Sequence, residues 1–300
     1  MSSSGGTTGS SAGAYRQPLR MVLAISAAVV VVELVVGIAS GSLALLADAG
    51  HAFADVVGTS LALASIWFGS RPATGRRTFG FYRTEIFAAV FNALLLFTIA
   101  VVLLVESVQR FIDAPQVSTG PVLIASAGAL LAQATCAWLL RNGQRESLTL
   151  RGAYLEVLGD ALGSAAVLVS ALVITFTGFR QADAVASAFI GLLILPRTVA
   201  LLRDAMDVLL EATPKDVDLE DVRGHILEAP GVRSVHDLHV WTITSGRNVV
   251  SAHVLIDPQA RHADVLDGLC RCLATQFDID HSTFQLETED RTPHEADAHR

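Results

Sequence analysis

Charge is scarce in this 300-residue chain. Asp, Glu, Lys and Arg make up 17% of it against 52% hydrophobic residues, and the mean hydropathy is +0.50. A soluble domain carries roughly a quarter charged residues, so an ordinary soluble globular protein is excluded. Cysteine is nearly absent as well. Cys136, Cys270 and Cys272 form no CxxC pair and no even disulfide framework, as expected of reduced thiols used for packing. Cys270 and Cys272, two apart on a predicted helix, point in different directions and are poorly placed to share one metal. Basic residues are outnumbered, with 21 Lys and Arg to 29 Asp and Glu and a formal charge of −8, which argues against nucleic acid as a partner. HExxH does not occur, so an intramembrane metalloprotease lacks its usual signature. No cleavable signal peptide is evident: residues 1–14 are a Ser/Gly/Thr stretch, predicted to be disordered, with no charged segment ahead of an apolar core.

What the chain does have is long apolar runs, at about 18–38, 42–69, 85–109, 120–140, 152–178 and 182–202. Each reaches the ~20 residues needed to cross ~30 Å of hydrocarbon, and together they predict six spans. The closest pair is the fifth and sixth, separated only by GFRQAD. Arginine sets the orientation. Arg16, Arg20, Arg71, Arg76, Arg77, Arg83, Arg141, Arg145 and Arg151 fall on one side, and only Arg110 and Arg180 on the other. The expectation is a multi-pass protein of the cell membrane, surrounded by lipid, with both termini in the cytoplasm.

The divisions expected are a tail at 1–14, a transmembrane domain at 15–210, a cytoplasmic domain at 211–289 and an acidic tail at 290–300. In the cytoplasmic part, hydrophobic periodicity predicts a helix over 218–229, strands over 232–243 and 248–256 about an SGRN turn, a helix over 262–277 and a strand over 282–288. The order αββαβ is that of a small two-layer α+β fold with helices on one face of a three-stranded sheet.

The second span contains LLADAGHAFADVVG, residues 45–58. His51 and Asp55 stand at i and i+4 on one helix face, and Asp48 joins that face one turn nearer the outer surface. The fifth span repeats the spacing with Glu156 and Asp160. The 1.5 Å helical rise puts His51 ~15 Å and Asp55 ~21 Å below the outer surface, and Asp160 ~13 Å and Glu156 ~20 Å. The two antiparallel pairs therefore meet near the midplane, where uncompensated charge costs at least ~2.5 kcal/mol per group. One imidazole nitrogen and three carboxylates match a four-coordinate divalent-cation site, and the cation supplies the missing compensation. The empty site is formally −3, so protons are expected to take the place of a departing metal. His51 is the expected proton carrier, because free imidazole titrates nearest neutral pH. Asp48 is assigned to supporting these ligands or lining the exit path. Glu33, Asn92 and Gln133 are expected to make interhelical hydrogen bonds, and Arg197 to snorkel toward the cytoplasmic surface.

GSLALLADAGHAFADV, RRTFGFYRTEIFAA, LRGAYLEVLGDALGSAAVL and VHDLHVWTITSG with SAHVLID together resemble the cation diffusion facilitator family of metal/proton antiporters, of the bacterial cobalt-zinc-cadmium efflux type. The resemblance runs from about residue 17 to 289. It implies a transport site at His51, Asp55, Glu156 and Asp160, with Glu156 standing where many zinc members have His. That exchange makes the site harder and more anionic, which keeps Zn²⁺, Co²⁺ and Cd²⁺ all eligible. It also implies a homodimer and a cytoplasmic domain like a metallochaperone. Candidate ligands in that domain are His236, His239, His253, His281 and Glu287, with His262 behind them, and the resemblance favours His253, His281 and Glu287, then His236. Arg83 and Glu211 are expected to form an ion pair at the membrane boundary. Arg77 and Phe81 occupy the places of a loop metal site that some members carry, and the loop RNGQRESLTLR has no histidine, so neither accessory site is expected. The leading functional expectation is a homodimeric exporter of Zn²⁺, Co²⁺ or Cd²⁺ in exchange for protons. The alternatives are a membrane metal sensor that moves no ions and an intramembrane metalloenzyme.

Overall fold

A computed structural model of the protein describes residues 16–141, 148–279 and 281–289. The predicted tails at 1–14 and 290–300, and the loop residues 142–147 with Arg145, lie outside the described residues. Six long helices come first: α1 (Arg16–Ser40), α2 (Leu43–Gly69), α3 (Thr84–Ile112), α4 (Thr119–Leu140), α5 (Leu148–Thr177) and α6 (Gln181–Leu209). The shortest, α4, has 22 residues, or ~33 Å at 1.5 Å per residue, so all six are long enough to span a bilayer. Large apolar side chains such as Ile124 (78% exposed) and Leu131 (71%) point away from the protein, as they must where the surroundings are lipid rather than water.

Helix ends follow local chemistry. Gly178 adopts φ +74° after α5, a left-handed conformation that costs glycine little and stops the helix. Only Gly178–Arg180 separate α5 from α6. α6 runs seven residues past the predicted end of the sixth apolar run, to Leu209. Arg203, Asp204 and Asp207 continue the helix with polar side chains, and hydropathy reports only the lipid-embedded part of such a helix.

By packing, the described residues fall into two compact units, those within 1–60 and 92–200, and those within 61–91 and 201–300. The core of the first is built from small and branched side chains: Ala44, Leu45, Ala47 and Ala54 of α2, Leu96 and Ala100 of α3, Val122 of α4, Val167 and Ala171 of α5, and Ile190 of α6. Alanine at so many contacts lets helices approach closely, which is how bundles gain packing energy in lipid.

The second unit contains the small C-terminal domain: α7 (Leu219–Leu227), β1 (Val232–Thr244), β2 (Arg247–Ile256), α8 (His262–Phe277) and β3 (His281–Glu287). The order is αββαβ, as periodicity predicts. Strands stand in the order β1-β2-β3, with β1 antiparallel and β3 parallel to β2. β1 and β2 turn through Ser245 and Gly246, the latter at φ +69°. α7 starts at an Asp218 N-cap whose side chain accepts from the Glu220 N–H at 2.8 Å. Val222 and Ile226 of α7, Leu269 and Leu273 of α8, and Val250, Val254 and Ile256 of β2 form its core.

Candidate metal centre

α2 carries the candidate ligands, and its first turn is held by several neighbours. Ser42 is its N-cap, accepting from Leu45 N–H at 3.1 Å. Asp183 of α6 accepts from Ser42 Oγ and from Leu43 N–H, both at 2.6 Å. In the preceding turn, Arg110 of α3 donates to Gly41 O at 2.7 Å, and Ser118 N–H donates to Ser40 O at 3.0 Å. A buried carboxylate at a helix N-terminus satisfies free N–H groups and opposes the helix dipole favourably. The end of α2 is thereby fixed.

Two turns further along α2, His51 Nε2 lies 3.6 Å from Asp55 Oδ2 and 3.9 Å from Asp160 Oδ1 of α5. The three donor atoms all fall within 4.8 Å of one another. These separations are too long for hydrogen bonds. Ligand atoms at ~2.1 Å from a tetrahedral ion stand ~3.4 Å apart, so the gap suits a small divalent cation. His51 Nδ1 and Asp55 Oδ2 are buried with no hydrogen-bond partner, which is costly unless something else engages the group.

Glu156 is partly buried one turn along α5 from Asp160, outside this close group, though within electrostatic range of His51 and Asp55. Of the four residues that sequence spacing singles out, three meet directly and the fourth stands ~6 Å along the same face. Arg197 of α6 interacts electrostatically with His51, Asp55, Glu156 and Asp160. It therefore places a fixed positive charge in the neighbourhood of the site.

Asp48 takes a different course from the other residues on its face. It is 2% exposed and accepts from Ser164 Oγ at 2.6 Å. Its approach to α5 depends on Gly163, where an added Cβ would lie 2.3 Å from Asp48 Oδ1. Glu33 is buried against the same serine. Asn92 Oδ1 and Gln133 Oε1 are buried without a hydrogen-bond partner. Asn92 fills the space above Gly58, where a Cβ would meet its Nδ2 at 2.5 Å.

A second group of donor atoms lies in the C-terminal domain. His253 Nδ1 is 3.4 Å from Glu287 Oε1, and His236 Nε2 is 3.8 Å from Glu287 Oε2. The three residues have donor atoms within 4.8 Å of one another. His236 pairs with His253 across β1 and β2, and Glu287 pairs with Leu255 across β2 and β3. His281 shares the strand face of Glu287 but is six residues, or ~20 Å, away along β3. It is exposed, and its ring packs edge-on to Phe79. His239 is 3.1 Å from Asp237 Oδ1, and His262 opens α8. Arg83 Nη2 and Glu211 Oε1 are 2.6 Å apart. Close to them in sequence, Glu85 accepts from Ser245 Oγ at 2.8 Å and from Thr244 Oγ1.

Sequence reasoning missed Ser164 and Asp183. Asp183 stands in the first turn of its helix, where an acid ordinarily serves its own N-terminus. Ser164 is one α-helical turn beyond Asp160, a spacing that could have marked it as lying on the same face.

Comparison with known proteins bears on this geometry. Residues 19–210 match the family model for the cation efflux transmembrane domain, and residues 214–289 match that for the cation efflux protein cytoplasmic domain. The chain is 44% identical over 277 residues to the metal cation efflux system protein CzcD of Cupriavidus metallidurans, covering 92% of this chain and 87% of that protein. It is 38% identical over 265 residues to the zinc transporter ZitB of Escherichia coli strain K12, covering 88% and 84%. It is 33% identical over 282 residues to a cadmium, cobalt and zinc/H(+)-K(+) antiporter of Bacillus subtilis strain 168, covering 92% and 90%. Among solved structures, the metal-bound C-terminal domain of the Cupriavidus CzcD transporter aligns with 46% identity over 24% of this chain and 99% of that one, at a TM-score of 0.23. With both family domains matched in order along nearly its whole length, this multi-pass membrane protein belongs to the cation diffusion facilitator, or cation efflux, family.

Proposed function

We propose that the protein exports divalent metal from the cytoplasm in exchange for protons, with Zn²⁺ as substrate and Co²⁺ and Cd²⁺ as further substrates. The observation that carries this reading is the convergence of His51, Asp55 and Asp160 around a gap of ionic dimensions inside the membrane span. Two relatives, named as a zinc transporter and as a cadmium, cobalt and zinc antiporter, support the choice of metals. Nitrogen with carboxylate oxygen suits zinc and its neighbours, and Glu156 on the same face completes the set as the ion enters or leaves. The site opens first to the cytoplasm, where metal displaces protons, and then outward, where protons displace metal. No covalent chemistry is required of any residue, so the protein acts as a transporter rather than an enzyme.

In this reading residues 15–210 form the transmembrane domain and 211–289 the cytoplasmic domain. The arginine asymmetry supports termini on the cytoplasmic side of the cell membrane. The second family match carries the proposal of a homodimer through the C-terminal domain. His236, His253 and Glu287 bind a second metal whose occupancy biases the transmembrane part, while His281 lies apart from that group. The Arg83 and Glu211 ion pair secures the membrane boundary.

The test is zinc uptake into proteoliposomes of the wild-type chain carrying a zinc dye and a pH dye, with and without an imposed pH gradient. Antiport predicts zinc entry coupled to proton exit and accelerated by an acidic interior. Zinc binding without flux would replace this reading with the membrane sensor.

A further inference from the structure

Glu33 of α1 and Asp48 of α2 are 1% and 2% exposed, and the exchange described above leaves both unused. They meet at Ser164 of α5. The serine hydroxyl donates to Asp48 Oδ2 at 2.6 Å and stands 3.5 Å from Glu33 Oε1. A hydroxyl has one proton to give, so it satisfies Asp48 and leaves Glu33 without a donor. Glu33 Oε2 is buried with no hydrogen-bond partner. Both carboxyl groups thus converge on one hydroxyl oxygen, from different helices. Acceptor faces acceptor, and the atom that would complete the contact is a hydrogen.

The surroundings leave little choice of ligand. Asp160, another carboxylate, stands one turn from Ser164 on the same face of α5 and so adds negative charge beside the pair. α4 contains no Asp, Glu, Lys, Arg or His, and the membrane-embedded length of α1 has Glu33 alone. Two ionised carboxylates with no cation beside them are far too costly at this depth.

We propose that Glu33 and Asp48 share one proton, held between the two carboxyl groups beside the Ser164 hydroxyl, and that this proton is exchanged in each transport cycle. The proposal rests on the antiport reading and adds a proton site separate from the metal ligands. Its coupling runs through Asp160. With no metal present, the Asp160 charge holds the proton on the pair. When Asp160 binds a cation that repulsion is lost, the shared acid ionises, and one H⁺ leaves to the aqueous side then open. Reprotonation from the opposite side restores the empty state.

Glu33→Gln tests this directly, because its carboxamide N–H can donate permanently to Asp48 and imitate the protonated acid. The measurement is proton release per zinc bound, read with a pH indicator as ZnCl₂ is added to the full-length protein in detergent, alongside proton counterflow per zinc in proteoliposomes. Glu33→Gln is expected to bind zinc within about threefold of wild type but to release about one proton fewer per zinc. Glu33→Asp should restore part of the release. The C-terminal metal group is unchanged in these variants, so its own protons cancel in the comparison. Equal proton counts in wild type and Glu33→Gln would overturn the proposal. A wild type that moves zinc with no proton counterflow would overturn the antiport reading itself, a distinct result seen before any variant is made. Should Glu33→Gln not fold, infrared difference spectra of wild type on zinc addition decide the matter. Loss of a protonated-carboxyl C=O band is expected, and its absence would refute the shared proton.

Discussion

Asp183 of α6 and Leu43 of α2 are joined by a 2.6 Å hydrogen bond from the Leu43 backbone N–H to Asp183 Oδ2, while Ser42 Oγ donates to the other oxygen at the same distance. The helix that presents His51 and Asp55 is thus capped by a residue from a different helix, and its register depends on that carboxylate. Asp183→Ala should lower stability by about 2 kcal/mol, the sum of a lost cap and a lost charged hydrogen bond. Asp183→Asn, which keeps an acceptor, should cost about half as much. Thermal unfolding in detergent measures both, and an unchanged midpoint for Asp183→Ala would show that α2 is positioned by other contacts.

Gly163 and Gly159 lie one turn apart on α5 but face different surroundings. A Cβ at 163 would collide with Asp48 Oδ1 at 2.3 Å, whereas nothing lies within 4 Å at 159. Gly163→Ala is therefore expected to displace Asp48 from Ser164 and destabilise by about 1–3 kcal/mol, with loss of zinc flux. Gly159→Ala should be neutral or slightly stabilising. Comparable behaviour of the two variants would contradict the close approach of α2 and α5.

Arg197 adds positive charge beside an anionic site. Its replacement by Gln should tighten zinc binding by about tenfold through loss of a competing charge, and slow release to match. Isothermal titration calorimetry gives the affinity and a flux assay the turnover. Weaker binding would mean that Arg197 organises the carboxylates rather than opposing the metal.

The two donor groups should be separable by stoichiometry. Wild type is expected to bind about two zinc ions per chain, and Asp55→Ala or Glu287→Ala about one each. Substituting both should abolish tight binding. Equilibrium dialysis with metal analysis reads the count, and a Glu287→Ala chain that still binds two ions would remove His236, His253 and Glu287 from consideration.

Much of this arrangement is legible in the sequence because helical and strand periods are local. The six apolar runs, the i, i+4 pairs on α2 and α5, and the αββαβ order all follow from spacing. What spacing does not reveal is how far along a shared face two residues sit once elements pack. Glu156 shares the face of Asp160, yet one turn of offset keeps it out of immediate contact with His51. His281 shares the face of Glu287, yet the register of β2 with β3 sets it opposite Val249, far from His253. Ser164 and Asp183 act on partners 116 and 141 residues away, and no local pattern encodes such a contact.

Passage of metal through His51, Asp55 and Asp160 is tested most directly by zinc flux through Asp160→Ala in proteoliposomes. Removing one close ligand from a buried cation site should reduce the flux by at least about 100-fold, with the protein still folded and the C-terminal donor group intact. Zinc movement at the wild-type rate would place the transport path elsewhere.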